Sequence, residues 1–188
     1  MNENNPPNLI ILFSGGADSV CMLEFAKELH RNPHCLLVDY DQKHIKELDV
    51  AKNYLKKRNV PFNVIKINGL DVGSGLTGNG NPGTYKNVHP MYVPSRNLLF
   101  ISLAASYAEA GGISEIWYGA NKDDIDNAFP DCQKEWINKV NKILEINGSY
   151  PIILKAPLIA YTKDMVLYTL KNVYGINESN FFSGYGDW

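Results

Sequence analysis

Several features are scarce in this sequence of 188 residues, and each scarcity excludes a class of protein. The three cysteines are odd in number and nowhere spaced as CxxC, which argues against a disulfide framework or a cysteine zinc site. No apolar run approaches the length of a membrane span, and the polar residues 1–8 hold no apolar core of a signal peptide. We therefore expect a protein of the reducing cytoplasm with no membrane partner.

Positive charge is not in excess either. Lys and Arg total 18 against 20 Asp and Glu, and the formal net charge is -2. Proteins that bind nucleic acids usually carry a basic surface, so we expect no nucleic-acid partner. Hydrophobic residues make up 45% of the chain and charged residues 20%, which is typical of a globular protein. The length favours a single domain over residues 1–188 with a sizeable core.

The most informative stretch runs from Leu9 to Ser19 and reads LIILFSGGADS. A short apolar run, a glycine pair and a segment of helical spacing predict a buried strand, a tight turn and a helix. Gly15 and Gly16 allow backbone N–H groups to crowd an anion where a Cβ would block them, and the helix dipole adds positive potential. The stretch therefore predicts a phosphate-binding loop.

This loop differs from the Walker loop of many kinases. A Walker loop requires GxxxxGK[ST], whose lysine reaches the terminal phosphates, whereas here Asp18 stands inside the loop and no lysine follows. A carboxylate beside phosphates is repulsive unless a cation such as Mg2+ lies between them, or unless it caps the helix. The hexad SGGADS resembles the pyrophosphate-binding loop of the N-type ATP pyrophosphatases, which split ATP into AMP and pyrophosphate and activate an oxygen by adenylation.

The remainder of the chain alternates between strand and helix patterns. Further strands are predicted at 35–38, 60–67, 113–119 and 151–154, and helices at 18–29, 45–59, 95–110, 133–146 and 162–173. Short links between them require right-handed crossovers, which predicts an α/β fold with a doubly wound, mostly parallel five-stranded sheet of Rossmann-like type. Ligands of such sheets bind at the carboxyl ends of the strands, where the SGGADS turn and the DYDQKH turn at 39–44 both fall.

Residues 68–94 interrupt this alternation. The segment holds six glycines and few apolar anchors. A loop of this length inside a compact domain is usually functional or disordered. The sequence favours equally a lid over the nucleotide and a passive surface insertion.

The predicted helix at 95–110 is the most apolar of the chain. Apolar residues cover most of its circumference, which predicts a central, buried helix with Ser95 as its N-cap. Arg96 then stands in the first turn, where a cation opposes the helix macrodipole. Together with Asn97 it would grip a phosphate or a carboxylate, and an arginine extending to solvent is the other interpretation.

Five motifs occur in order from Leu9 to the end of the chain, namely SGGADS, DYDQKH, VPSRN, FPDC, and PL followed by Lys163. With them the chain resembles the 7-cyano-7-deazaguanine synthase family. The resemblance implies a doubly wound domain of the adenine-nucleotide α-hydrolase type. It also implies the ATP-dependent conversion of 7-carboxy-7-deazaguanine and ammonia to the nitrile, in the pathway to queuosine and related deazapurines.

The resemblance also implies a role for individual residues. Those placed at ATP are Ser14, Gly15, Gly16, Asp18, Ser19 and Asp39, and those placed at the substrate are Gln42, His44, Arg96, Asn97 and Asp131. Asp18, Arg96 and Lys163 would carry catalysis, and Asp18 would also hold Mg2+. The chemistry is sufficient, because adenylation gives a poor electrophile a leaving group. Ammonia then forms an amide, and a second activation lets the amide lose water.

Two departures from the family pattern stand out. Ala17 replaces the glutamine of the usual SGGQDS loop, a change that we expect to be tolerated. The family also carries four zinc-binding cysteines near its C-terminus, whereas this chain reads SGY at 183–185 and has none of the four. Zinc is therefore not expected, and the aromatic tail would offset its loss by packing within the chain or across an expected homodimer.

The missing cysteines leave the end of the reaction open. A zinc-free relative would stop at the amide or join a deazapurine acid to another acceptor. A nucleotide-binding module without turnover is the alternative outside enzymes.

The other polar candidates have plainer interpretations. Asp123, Asp124 and Asp126 could bind Mg2+ but more often form a solvated loop. Cys132 could be a nucleophile, but a buried inert thiol is favoured because no histidine neighbours it in sequence.

Overall fold

The computed structural model describes residues 6–40, 45–70, 92–126, 129–177, 179 and 181. Its strands are β1 (Leu9–Leu12), β2 (Pro33–Asp39), β3 (Phe62–Lys66), β4 (Glu115–Trp117) and β5 (Ile153–Lys155). Its α-helices are α1 (Ala17–Glu28), α2 (Ile45–Lys57), α3 (Arg96–Ala110), α4 (Lys122–Asp126), α5 (Lys134–Asn147) and α6 (Lys163–Asn172), and a 3₁₀ turn spans Pro130–Cys132. Of the predicted insertion at 68–94, residues 71–91 lie outside the described part, so its function stays a prediction.

The five strands form one sheet in the order β3-β2-β1-β4-β5, and all four neighbouring pairs are parallel. This confirms the predicted doubly wound α/β class. The chain runs outward from β1 to β3 and then returns to add β4 on the other side of β1, so the direction of winding reverses between β1 and β4. A crevice forms at the carboxyl ends of strands where the winding reverses.

Both faces of the sheet are covered by helices, because alternate residues of each strand point to opposite sides. Ile11 and Leu37 pack with α1, α2 and α6 on one face. Ile10 and Ile116 pack with α3 and α5 on the other. Among the described residues, no helix has the length and apolar character that crossing a membrane requires.

Helix α3 differs from its prediction in two respects. Ser95 stands before the helix in a left-handed conformation, with φ 55°, and its hydroxyl makes no capping hydrogen bond, because an N-cap needs extended backbone to aim that group at the first turn. The helix is also not buried all round, since Leu98 is 38% exposed and Tyr107 40%. The face against the sheet consists of Ile101, Ala104, Ala105 and Ala108.

Glu115 ties several elements together at the start of β4. Its carboxylate accepts hydrogen bonds from Arg31 at 3.1 Å, from Lys155 at 2.8 Å and from the Trp117 indole. Arg31 also donates to the Asn8 carbonyl at 2.8 Å. Burial opposes ionisation of Glu115, but the bonds from Lys155 and Trp117 and the charge of Arg31 outweigh it, so the pKa of this carboxyl lies below its usual value.

Replacing Glu115 by Gln should lower the free energy of unfolding by about 1–2 kcal/mol at pH 7, since Arg31 and Lys155 lose their common acceptor. A lowered folded-state pKa stabilises the fold above the unfolded pKa near 4, and this gain is lost as pH falls through the folded value. The difference from wild type, measured by urea unfolding, should therefore shrink below pH 4.

Glu135→Gln is the matched control. Glu135 forms an ion pair with Lys139 on an open helix surface, where its side chain is 79% exposed. No measurable change is expected there. Equal effects of the two substitutions would contradict a structural role for Glu115.

Candidate functional site

A cavity of about 370 Å³ opens at the carboxyl ends of β1, β2 and β4. Its polar lining includes Ser14, Asp18, Ser19, Tyr40, Arg96, Asn97 and Asp124. Its apolar lining includes Leu12, Phe13, Val38, Phe100, Tyr118, Phe129 and Cys132. The fold therefore brings the predicted loop and the predicted Arg-Asn pair to the same cavity.

The loop after β1 is held in place by its own serines. The Gly15 N–H donates to Ser19 Oγ at 3.0 Å, and the Gly16 N–H donates to Ser14 Oγ at 3.2 Å. The Ser19 hydroxyl in turn donates to the Gly16 carbonyl at 2.9 Å. Gly15 has φ +87°, and an added Cβ would lie 2.7 Å from the Cβ of Ala51 in α2, so both the backbone and the packing require glycine.

The loop delivers the first turn of α1 to the cavity. Gly16 is the N-cap and has no side chain to cap the helix. The first intrahelical bond runs from the Val20 N–H to the Gly16 carbonyl, which leaves the amides of residues 17–19 without acceptors inside the helix. Such amides, with the helix dipole behind them, form a natural site for a phosphate group.

Asp18 and Lys163 meet across the point where the sheet reverses its winding. The Lys163 ammonium donates to Asp18 Oδ2, and both side chains are about one-fifth exposed. Lys163 begins α6, where a cation opposes the dipole, but its backbone N–H donates to Asp123 Oδ2 at 2.6 Å. The carboxylate of Asp123 thus offsets the charge that the Lys163 ammonium brings to this helix end.

Asp124 belongs to the short helix α4, which has a capping box, whereas a solvated loop was the favoured prediction for it and Mg2+ binding the alternative. The Asp124 N–H donates to Asn121 Oδ1 at 3.0 Å, and the Asn121 N–H donates to Asp124 Oδ2 at 3.1 Å. Asn121 is buried, and its amide also lies 3.4 Å from Asp18 Oδ1. Polar residues spaced as Asn-x-x-Asp a few residues after a strand were the signal that could have revealed this helix.

Burial and the negative charge of Asp18 raise the pKa of Asp124 to about 6, although the Asn121 N–H and the Lys163 charge act in the opposite sense. Asp124→Asn should therefore stabilise the protein at pH 8 by about 1–3 kcal/mol, because the amide carries no charge to desolvate and its oxygen can still accept the Asn121 N–H. A raised folded-state pKa penalises the ionised carboxylate, so the gain should vanish below pH 4, where the acid is protonated in both states.

Urea unfolding of the protein alone at pH 8 and at pH 3.5 measures this difference. Asp126→Asn is the control, since Asp126 is exposed and pairs with Lys122. A loss of stability at pH 8 in the Asp124 variant would contradict the prediction and would show that the ionised carboxylate stabilises the fold.

Arg96, Asn97 and Asp131, which the resemblance grouped at the substrate, do lie together. Arg96 Nη1 donates to the Tyr40 hydroxyl at 3.2 Å, and the Asn97 side chain bonds to Asp131. Asp131 is 7% exposed, and burial raises its pKa although the Arg96 charge and the Asn97 bond act in the opposite sense. Arg96 and Asn97 line the cavity. Asp131 is not part of the lining but interacts with both of them.

The other predicted residues have different positions. Asp39 ends β2 and is partly exposed, but the cavity lining includes its neighbours Val38 and Tyr40 instead. Gln42 and His44 lie outside the described residues, so their predicted roles stay predictions. Cys132 lines the cavity, and burial together with the charges of Asp124 and Asp131 raises the pKa of its thiol, which keeps it protonated.

The residues fit the two candidate metals differently. Within the described ranges, no three His, Cys, Asp or Glu side chains cluster closely enough to hold a metal ion by themselves, and the three cysteines lie on separate elements. Those residues therefore offer no zinc site. Mg2+ is commonly held by one or two carboxylates together with substrate phosphates, a mode that Asp18 beside the loop does fit.

Solved structures of other proteins share this fold. The U34-tRNA thiolase NcsA from Methanococcus maripaludis superposes with a TM-score of 0.61 at 14% identity, over 90% of this chain and 58% of that one. The NH3-dependent NAD synthetase from Campylobacter jejuni superposes with a TM-score of 0.55 at 16% identity, over 95% of this chain and 68% of that one. The likeness shows the class of fold, an α/β domain of the adenine-nucleotide α-hydrolase-like type.

Sequence comparison is more specific. Residues 8–187 match the family of the queuosine biosynthesis protein QueC, and the chain belongs to that family. The 7-cyano-7-deazaguanine synthase of Marinobacter nauticus is 32% identical over 167 residues, which cover 85% of this chain and 75% of that one. The synthase of Polynucleobacter asymbioticus is 34% identical over an alignment of 194 residues, which covers 94% of this chain and 77% of that one.

Proposed function

We propose that this protein is an ATP-dependent C–N ligase that converts 7-carboxy-7-deazaguanine and ammonia to 7-cyano-7-deazaguanine and releases AMP. The observation that carries the proposal is the meeting of the Ser14–Ser19 loop with Lys163 at the sheet reversal, in a chain of the QueC family. The relatives named above are synthases of this product. A helix end whose free amides suit an anion, with the Lys163 cation beside it, fits the cleavage of a triphosphate.

The loop would hold the pyrophosphate portion of ATP. The amides of residues 17–19 would donate to phosphate oxygens, and the Ser14 hydroxyl, which lines the cavity, would add a further donor. Lys163 neutralises the charge that develops on pyrophosphate as it leaves. Mg2+, held by Asp18 and the phosphates, would supply further neutralisation.

The reaction then proceeds by two activations. An oxygen of the substrate carboxylate attacks the α-phosphorus, pyrophosphate leaves, and an acyl adenylate forms. Ammonia attacks the acyl carbon, AMP leaves, one proton is released, and the product is the amide. Adenylation of the amide oxygen by a second ATP releases a second pyrophosphate, and loss of AMP and of both amide protons then yields the nitrile. Positioning and charge neutralisation are the protein's main contributions.

Incubation of the protein with ATP, Mg2+, ammonium and the deazaguanine acid tests the proposal. We expect AMP and pyrophosphate, and a product one water lighter than the amide by mass spectrometry. A product that retains this water would mean that the enzyme stops at the amide. Release of ADP, or AMP formation that does not depend on the acid, would overturn the proposal.

Lys163→Met should lower kcat/KM for AMP release about a hundredfold or more, because it removes a preorganised cation from the leaving group. Lys163→Arg, which keeps the charge, should lose less. Lys122→Met is the matched control. Lys122 also begins a helix, α4, but its ammonium pairs with Asp126 at the surface. Equal activities of the Lys163 and Lys122 variants would remove Lys163 from the mechanism.

We also propose, from the resemblance to the family, that the enzyme works as a homodimer in the cytoplasm. Sedimentation at several protein concentrations tests the dimer, which fails if the chain stays monomeric throughout.

A further inference from the structure

Tyr40 stands directly after β2 and faces the first turn of α3 across the cavity. Its hydroxyl accepts a hydrogen bond from Arg96 Nη1 at 3.2 Å, and the Arg96 Cζ lies 5.8 Å from the centre of its ring. The Tyr40 ring also contacts Phe100, with centroids 5.3 Å apart at an angle of 54°. All three side chains line the cavity, so this contact belongs to its wall.

The position of Arg96 is unfavourable for a cation unless something holds it there. It begins α3, where the macrodipole repels positive charge, and Ser95 provides no capping hydrogen bond to that end. Two groups compensate. The Tyr40 hydroxyl fixes one guanidinium nitrogen, and the buried Asp131 carboxylate supplies negative charge nearby.

A guanidinium held in this way is suited to one kind of ligand. Its planar fork of donors matches the two oxygens of a carboxylate, and such charge-assisted bonds are roughly twice as strong as neutral ones. The proposed reaction presents two substrates with the same ring system in turn, first an anionic acid and then a neutral amide. A fixed guanidinium favours the first far more than the second.

We propose that Tyr40 is a positioning residue that orients Arg96 to bind the carboxylate of the deazapurine acid, and that it thereby sets the preference for the acid over the amide. The inference rests on the proposed function for the identity of the ring. It adds a residue and a selectivity that the family resemblance did not assign.

Tyr40→Phe is the decisive variant, because it removes only the hydroxyl and leaves the ring contact with Phe100. We expect the KM for the acid to rise about tenfold, as for the loss of one hydrogen bond to a charged group. The KM values for the amide and for ATP should stay within about twofold of wild type. Arg96→Met should abolish the preference for the acid altogether.

Phe100→Leu is the matched control for packing. It disturbs the wall beside Tyr40 but keeps the bond between the hydroxyl and Arg96, so it should affect acid and amide alike. If Tyr40→Phe also weakens the binding of acid and of amide equally, Tyr40 contributes to packing alone and the proposal fails. A rise in the KM for ATP instead would assign Tyr40 to the nucleotide and would overturn it as well.

Calorimetric titration of acid and of amide, without ATP, separates this inference from the proposed function. Tighter binding of the acid by wild type, lost in Tyr40→Phe, supports the role of Tyr40 even if no AMP is ever released. Wild-type protein that binds the two compounds equally, or binds neither, overturns it.

Discussion

The ion pair between Asp18 and Lys163 is the contact on which the site depends. The two residues are 145 positions apart in the chain, and they meet only because β4 is added beside β1 after the chain has wound out to β3. Each lies in the first turn of a helix, where a carboxylate is favourable and an ammonium is not. Asp18 therefore keeps the Lys163 cation beside the loop, where our proposal places the phosphates of ATP.

The fold and this loop were predictable because their signals are local. Apolar runs of strand length, helical spacing after Gly16 and the glycine pair each act within about a dozen residues. Positive φ at Gly15 and its close approach to Ala51 show why that residue type was needed. Alternation of strands and helices then limits the topology to a parallel sheet, whose carboxyl ends hold the site.

The features that were missed depend on contacts between distant segments. Asp124 is partly buried because Asn121 caps its helix and also hydrogen-bonds to Asp18, and the negative charge of Asp18, over a hundred positions away, opposes ionisation of Asp124. Helix α3 looked buried on all sides because its composition is apolar, but composition does not say how many neighbours a helix has. The partner of Arg96 lies 56 positions away, beyond the reach of any sequence pattern.

Charge balance around the cavity bears on how, in our proposals, the triphosphate of ATP and the carboxylate of the acid could bind at different places. Lys163 lies near Asp18 and Asp124, and its charge favours ionisation of Asp124, while Arg96 acts in the same way on Asp131. Burial still raises the pKa of both Asp124 and Asp131, so the two cations do not fully compensate the carboxylates around them. An incoming triphosphate adds further negative charge, which is the physical reason for a divalent cation to accompany it. Lys163 is held by Asp18 and Arg96 by Tyr40, so the two cations are kept apart, and our proposals assign phosphate to the first and carboxylate to the second.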